Sequence, residues 1–184
     1  MTGWLVVSNK EPWGQEASPW KNSTEFFTYL RGCLRKAWSN NPIKHNLIKK
    51  KRRQIPNPNP NGKKPTVWGF DCEICNGVYA MSHCQVDHIK PAGSLQKTED
   101  IQGFVERLLY VSEDDLRLVC KECNSALALA DKQGMTVETA LATKVAIELC
   151  KTKKDKSWLE ERDIKPASNE KLRRQQIVDS ILSS

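Results

Sequence analysis

Two C-x2-C pairs, Cys72-Glu-Ile-Cys75 and Cys120-Lys-Glu-Cys123, stand 44 residues apart and constrain this chain more than any other feature. Two residues between cysteines let the backbone turn as a knuckle and aim both thiolates at one tetrahedral ion. Two knuckles complete a four-sulfur shell, so the spacing predicts a structural zinc held by Cys72, Cys75, Cys120 and Cys123. Four thiolates leave no open position for water, so such an ion staples the fold and does no chemistry itself. The competing reading is two unrelated pairs of buried or redox cysteines. A thioredoxin-type pair needs a βαβ context, which the flanking sequence lacks. Cys33, Cys84 and Cys150 have no partner at ligand spacing and read as ordinary buried thiols.

Seven cysteines are an odd number, which suits a reducing interior better than a disulfide framework. No basic stretch followed by an apolar one opens the chain, so no secretory signal is expected. The longest apolar runs, such as Trp4-Leu-Val-Val7, are far too short to span a bilayer. The expectation is a cytoplasmic protein without membrane association.

The net charge of +7 is unevenly placed. Between Phe26 and Phe70 there is no acidic residue, while eleven are basic: Arg31, Arg35, Lys36, Lys44, Lys49, Lys50, Lys51, Arg52, Arg53, Lys63 and Lys64. The rest of the chain is therefore net acidic. A cationic block of this kind suits phosphate contacts, which supply most non-specific affinity for nucleic acid. Lys49, Lys50, Lys51, Arg52, Arg53, Lys63 and Lys64 are the candidate contacts. A solvated basic face, or a site for an acidic protein, is the alternative.

Residues 1–22 carry Trp4, Trp13 and Trp20 without a clear period and read as an irregular segment. Residues 23–65 read as a basic helical arm and linker. Its first helix runs from Ser23, as N-cap, to Trp38, with Phe26, Phe27, Leu30, Leu34 and Trp38 near one face. A second, very basic helix spans Ile43 to Arg53, and Pro56-Asn-Pro-Asn-Pro-Asn-Gly62 follows as a linker because proline blocks both helix and interior strand. Residues 66–135 hold the motifs, with a helix near 99–110 carrying Ile101, Phe104, Val105, Leu108 and Leu109. Residues 136–184 form a helical extension: one helix from Val137 to Cys150, with Leu141, Val145 and Leu149 on one side, and a last helix near 169–182.

Between the pairs lies Val78-Tyr-Ala-Met-Ser-His-Cys-Gln-Val-Asp87-His88-Ile-Lys-Pro91. Val78, Tyr79, Met81 and Val86 suggest two short strands, which puts Asp87-His88 at the end of a hairpin. The second knuckle runs straight into Asn124-Ser-Ala-Leu-Ala-Leu-Ala, a good helix former. Hairpin, knuckle and helix make a ββα unit with Asn124 at the helix start. His83, five residues before His88, reads as an ordinary surface or core histidine, and His45 as a phosphate contact at most.

These runs resemble the zinc-bearing HNH (His-Me finger) endonucleases, which read roughly C-x2-C, then V-D-H-I-x-P, then L-x-x-L-C-x-x-C-H/N. Here they are Cys72-x2-Cys75, Val86-Asp87-His88-Ile89-Lys90-Pro91 and Leu116-Arg-Leu118-Val-Cys120-x2-Cys123-Asn124. Small phage-encoded members are similar in their flanks to Phe26-Phe-Thr-Tyr-Leu-Arg-Gly and to Gly93-Ser-Leu with Phe104-Val-Glu-Arg-Leu. The resemblance covers about residues 20–131. It implies an α+β fold: a small ββα-metal, treble-clef-like core stapled by the four-cysteine zinc and flanked by helices. It also implies a metal-dependent DNA endonuclease, with a nickase or homing-type phage enzyme among the options, working in the host cytoplasm.

Roles carry over by position. His88 would be the general base, its imidazole suited to proton abstraction near neutral pH. Asp87 and Asn124 would hold one Mg2+ or Mn2+ through hard oxygen ligands. The family's middle Asn falls nine residues before the last motif residue, at Asp115, which accepts hydrogen bonds but cannot donate them as an amide does. A lysine that often follows the last motif residue by three is replaced by Leu127. The cysteines, the Asp-His pair and the terminal Asn are similar as well to junction-resolving nucleases of the endonuclease VII type. That makes a structure-selective resolvase the second reading; a zinc DNA-binding module with a decayed active site is the third. No heptad seam offers a dimer interface, so a monomer bound to DNA is expected.

Overall fold

The structure is a computed structural model that describes residues 11–183. Trp4 and the rest of residues 1–10, expected to be irregular, lie outside the described residues. The chain is α+β, with seven α-helices and two small sheets among the described residues. It divides into two units, each built from two stretches of chain. One joins the residues up to Lys50 with His88–Arg117; the other joins Lys51–Asp87 with Leu118 onward. None of the described helices is long and apolar enough to cross a membrane.

In the first unit, α1 (Ser23–Ser39) opens where Asn22 accepts the Glu25 amide at 3.0 Å. Glu25 in turn accepts the Lys21 amide at 2.8 Å. The cap is thus Asn22, one residue before the expected Ser23, and the two bonds satisfy backbone donors that a helix start leaves unpaired. Trp13 and Trp20 pack on Phe26, Phe27 and Tyr29, so this part of the N-terminal segment is tied to the helix by its aromatics. The chain turns at Asn40-Asn41 into α2 (Pro42–Lys51), where a proline at the first helical position forgoes only a donor that would be orphaned anyway. The helix ends at Lys51, not at the expected Arg53, because Arg53 begins a strand. Helix α3 (Asp100–Leu109) buries Phe104 and Leu108 and packs on α1.

The second unit begins with an antiparallel sheet in the order β1 (Arg53–Pro56), β2 (Thr66–Asp71), β3 (Val78–Ala80). Ile55 pairs with Val67 and Phe70 with Tyr79, and Ile55 and Phe70 are buried. The Pro-Asn stretch is therefore not a linker but the loop that closes β1 on β2. Its asparagines replace the turns that proline forbids: Asn57 Oδ1 accepts the Asn59 amide and Asn59 Oδ1 accepts the Asn61 amide, each at 3.0 Å. Asn57 Nδ2 also donates across the loop to the Lys64 carbonyl at 2.8 Å. Such Asx turns let a short polar side chain mimic a backbone turn.

The expected hairpin over residues 78–88 does not form. The chain from Cys72 to Gly77 is itself the turn between β2 and β3, closed by Cys72 N–H to Gly77 C=O at 2.9 Å. With β3 paired upstream, a 3-10 turn at Met81–His83 leads to β4 (Cys84–His88), which pairs with β5 (Leu116–Cys120) in a second sheet. Strand β5 passes directly into α4 (Lys121–Gln133), which ends on Gly134 at φ +64°. A residue with a Cβ would cost about 1–2 kcal/mol in that left-handed conformation.

Helices α5 (Val137–Lys151), α6 (Asp155–Glu160) and α7 (Glu170–Leu182) complete this unit. The expected core face of α5, Leu141, Val145 and Leu149, gives way to Ala140, Ala142, Ala146 and Cys150; Val145 is exposed. The reason is that α5 packs against both α4 and α7. Small side chains let helices approach on two sides at once. Ala142 and Ala146 meet Leu159, Ile177 and Val178 in one cluster, and Ala140 meets Ala126 and Ala130 in another.

Candidate metal centre and its neighbours

The four knuckle cysteines converge in the second unit. Cys72 follows β2, Cys120 ends β5, and Cys123 lies in the first turn of α4. Their sulfurs and that of Cys75 all lie within 4.8 Å of one another. A tetrahedral ion with Zn–S bonds of about 2.3 Å needs sulfurs roughly 3.8 Å apart. The donor set therefore fits a thiolate-bound metal with small closing movements. Cys72, Cys120 and Cys123 are buried, while Cys75 is exposed and touches the Tyr79 hydroxyl at 3.5 Å.

The surrounding backbone is arranged for negative sulfur. The Cys120 amide donates to Cys72 Sγ and the Cys123 amide to Cys120 Sγ, both at 3.3 Å. Burial alone would raise the Cys72 thiol, but amide donors from Cys75, Cys120 and Ile74 outweigh it and bring it down to about 7. Cys123 goes the other way, pushed up by burial and by the neighbouring sulfurs. Without a cation to neutralise them, four sulfurs this close cannot all be charged. Of the remaining cysteines, only Cys150 is buried; Cys84 is half-buried and Cys33 is exposed on α1, contrary to expectation.

Asp87 and Asn124 belong to the same unit as the sulfurs, Asp87 near the end of β4 and Asn124 one residue past Cys123. Both are half-buried, so both remain within reach of solvent. His88 closes β4 and belongs to the first unit. Its Nε2 lies 3.1 Å from the Leu108 carbonyl. A carbonyl only accepts, so Nε2 carries the proton in the neutral ring and Nδ1 keeps its lone pair. The Trp38 ring stands against the imidazole with centroids 4.2 Å apart.

Asp115 works through its backbone and as a cap. Its carbonyl accepts the Ile89 amide at 2.9 Å, tying down the residue after His88. Its carboxylate accepts the Ser112 amide at 2.7 Å and the Ser112 hydroxyl at 2.8 Å. Those two bonds, the amide first, hold the Asp115 carboxyl below its usual value, and the nearby His88 lowers it further. Every one of these bonds needs an acceptor, so aspartate serves here without an amide's donor.

The basic block is largely spoken for. Lys50 pairs with Glu113 at 2.7 Å, Lys51 with Glu73 at 2.8 Å and Arg53 with Asp71 through two bonds of 2.8 and 2.6 Å. The Arg52 guanidinium lies 4.3 Å from the centre of the Trp68 ring. Lys49, Lys63 and Lys64 are exposed and without a side-chain ion pair among the described residues. His83 and His45 are exposed as well.

Three contributors are not legible in the sequence motifs. Trp38 reads as one more apolar residue on a helical stripe. The Leu108 carbonyl is a backbone atom and leaves no trace in residue identity. Glu73 sits inside the first knuckle, where its carboxylate accepts the Leu118 amide at 2.7 Å. An acidic residue between two metal-binding cysteines is the only available signal.

Fold and site together define an α+β chain with a four-cysteine cluster able to hold a metal ion. Neither protein-family models, nor curated proteins, nor solved structures yield a match to it.

Proposed function

We propose that the chain is a zinc-stapled, metal-dependent DNA endonuclease of HNH type. The observation that carries the reading is the state of His88, a neutral imidazole with Nε2–H committed to a backbone carbonyl at 3.1 Å. That tautomer makes Nδ1 the basic nitrogen and gives it a fixed direction, which is what a general base requires. His88 takes the proton from the attacking water. Asp87 and Asn124 offer a carboxylate and an amide oxygen, the donor chemistry that Mg2+ or Mn2+ prefers. When bound, such an ion neutralises charge building on the scissile phosphate and the leaving 3′ oxygen. The products are a 3′-hydroxyl and a 5′-phosphate. Zinc, in this reading, occupies the four-sulfur site and serves only to hold the knuckles together.

The test is cleavage of supercoiled plasmid with Mg2+ or Mn2+. The wild type should nick it, and His88→Ala should lose ~10²–10⁴-fold in turnover with DNA affinity unchanged, since a general base acts on the transition state. Equal cutting by the two proteins, or none by either, would sink the enzyme and leave a zinc DNA-binding module. A strong preference for four-way junctions over duplex would favour the resolvase.

A further inference from the structure

We propose that Trp38 is a positioning residue for His88, fixing the plane of the imidazole from the end of α1. The inference deepens the nuclease reading and rests on it for its catalytic consequence. A single hydrogen bond fixes a direction but not a plane. The bond from Nε2 to the Leu108 carbonyl would by itself let the ring rock and carry its other nitrogen off target. The Trp38 indole supplies a planar constraint, lying 4.2 Å away centroid to centroid at a tilt of 45°.

Trp38 is itself well held. It is 9% exposed, and its carbonyl accepts the Asn41 amide at 3.0 Å in the turn that ends α1. The ammonium of Lys44 lies 5.6 Å from the centre of the same indole ring. Helix α1 packs on α3, the helix whose penultimate residue, Leu108, gives His88 its acceptor. The wall and the acceptor therefore come from two helices of one unit that pack on each other. The N-terminal arm contributes more than positive charge: it frames the base. A displacement of about 1 Å at a reacting atom costs on the order of 10²-fold in rate, so removing the wall should register in turnover.

The test compares wild type, Trp38→Leu and Trp38→Phe as full-length proteins. Leucine keeps apolar bulk without a flat face; phenylalanine keeps the face. Zinc content and thermal melting check that each variant is folded. The tautomer of His88 is read from 15N imidazole shifts, with signals assigned by replacing His45 and His83 singly with Gln. Wild type and Trp38→Phe should show Nε2–H alone, and Trp38→Leu a mixture of tautomers. Plasmid nicking by Trp38→Leu should fall roughly 10- to 100-fold in kcat with KM little changed, and Trp38→Phe should recover most of it. Trp38→Leu added to His88→Ala should slow cutting no further, because both changes act on one base. A pure Nε2–H ring and wild-type kcat in Trp38→Leu would overturn the proposal, as would a reduction that adds fully to that of His88→Ala. If the wild type does not cut at all, the nuclease reading falls, while the tautomer comparison still decides whether Trp38 sets the ring.

Discussion

Glu73 is bonded to Leu118 twice: its amide donates to the Leu118 carbonyl at 2.9 Å, and its carboxylate accepts the Leu118 amide at 2.7 Å. One residue is next to Cys72 and the other two before Cys120, so this clasp registers the two knuckles against each other. Lys51 braces the same carboxylate. Outer-shell partners of this kind typically tune metal affinity by about 10–100-fold. Glu73→Ala should therefore release zinc to a competing chelator at correspondingly lower chelator concentration while remaining folded with zinc in excess. Unchanged retention would show that the cysteines need no clasp.

Zinc and the catalytic ion should be separable. Apparent binding energies of about 10–16 kcal/mol for structural zinc make the four-sulfur site resistant to brief EDTA treatment. Cutting should stop in EDTA and return with Mg2+ or Mn2+ without refolding, with one zinc per chain by elemental analysis throughout. Cys72→Ser or Cys120→Ser should lose zinc and the cooperative melting of the second unit. Retention of a native melt by either serine variant would count against a structural metal.

Ion pairing within the basic block changes which substitutions test DNA binding cleanly. Lys49, Lys63 and Lys64 have no side-chain ion pair among the described residues, so changing all three to Gln should weaken binding to every sequence and leave melting unaltered. For each phosphate left without its lysine, the slope of log affinity against log salt should shrink by about 0.9. Arg53→Gln breaks the bidentate pair with Asp71 and should disturb the sheet as well. Identical salt slopes for wild type and the triple variant would remove these lysines from the interface.

What the sequence makes legible follows the range of the interactions involved. Caps, helical stripes and cysteine spacing are local, and they place α1, α3, α7 and the knuckles to within a few residues. Strand partnership is not local. Nothing in Val78-Tyr-Ala80 states that it pairs with Phe70 and its neighbours rather than with Val86, and the hairpin expectation fails there. The Pro-Asn stretch misleads because proline argues against regular structure but says nothing about two strands flanking it. Helix α5 turns a different face inward because a stripe of leucines looks like a core until the two helices packing on its alanines are known. At the site, residue types are legible; the carbonyl and indole that hold His88 are not.

The C-terminal helices should show an acid-sensitive joint at Asp155 and Arg173. Asp155 is buried and receives Arg173 Nε at 2.5 Å. Burial alone would raise its carboxyl, but the bond and charge of Arg173 outweigh burial and hold it below the ordinary 3.8. A carboxyl lowered by folding stabilises the native state above its unfolded value, and that contribution is lost as pH falls through the folded one. Asp155→Asn should therefore melt several degrees below wild type at pH 7. The gap should narrow progressively below about pH 4. A constant gap from about pH 7 to about pH 2 would mean that the pair's charge plays no part.

The spacing of the knuckles has a consequence for how the chain is made. Synthesis proceeds at about 5–20 residues per second, and 44 residues separate Cys75 from Cys120. On the ribosome the first pair therefore waits several seconds for the second. During that interval two thiols can hold an ion only loosely, or be captured by an oxidant or a competing metal. Helices α1 and α2 have already emerged by then, but β5 and α4, which carry the closing sulfurs, have not. The second unit can lock only after Cys123 is out, and the yield of native protein should depend on zinc supply at that moment of translation.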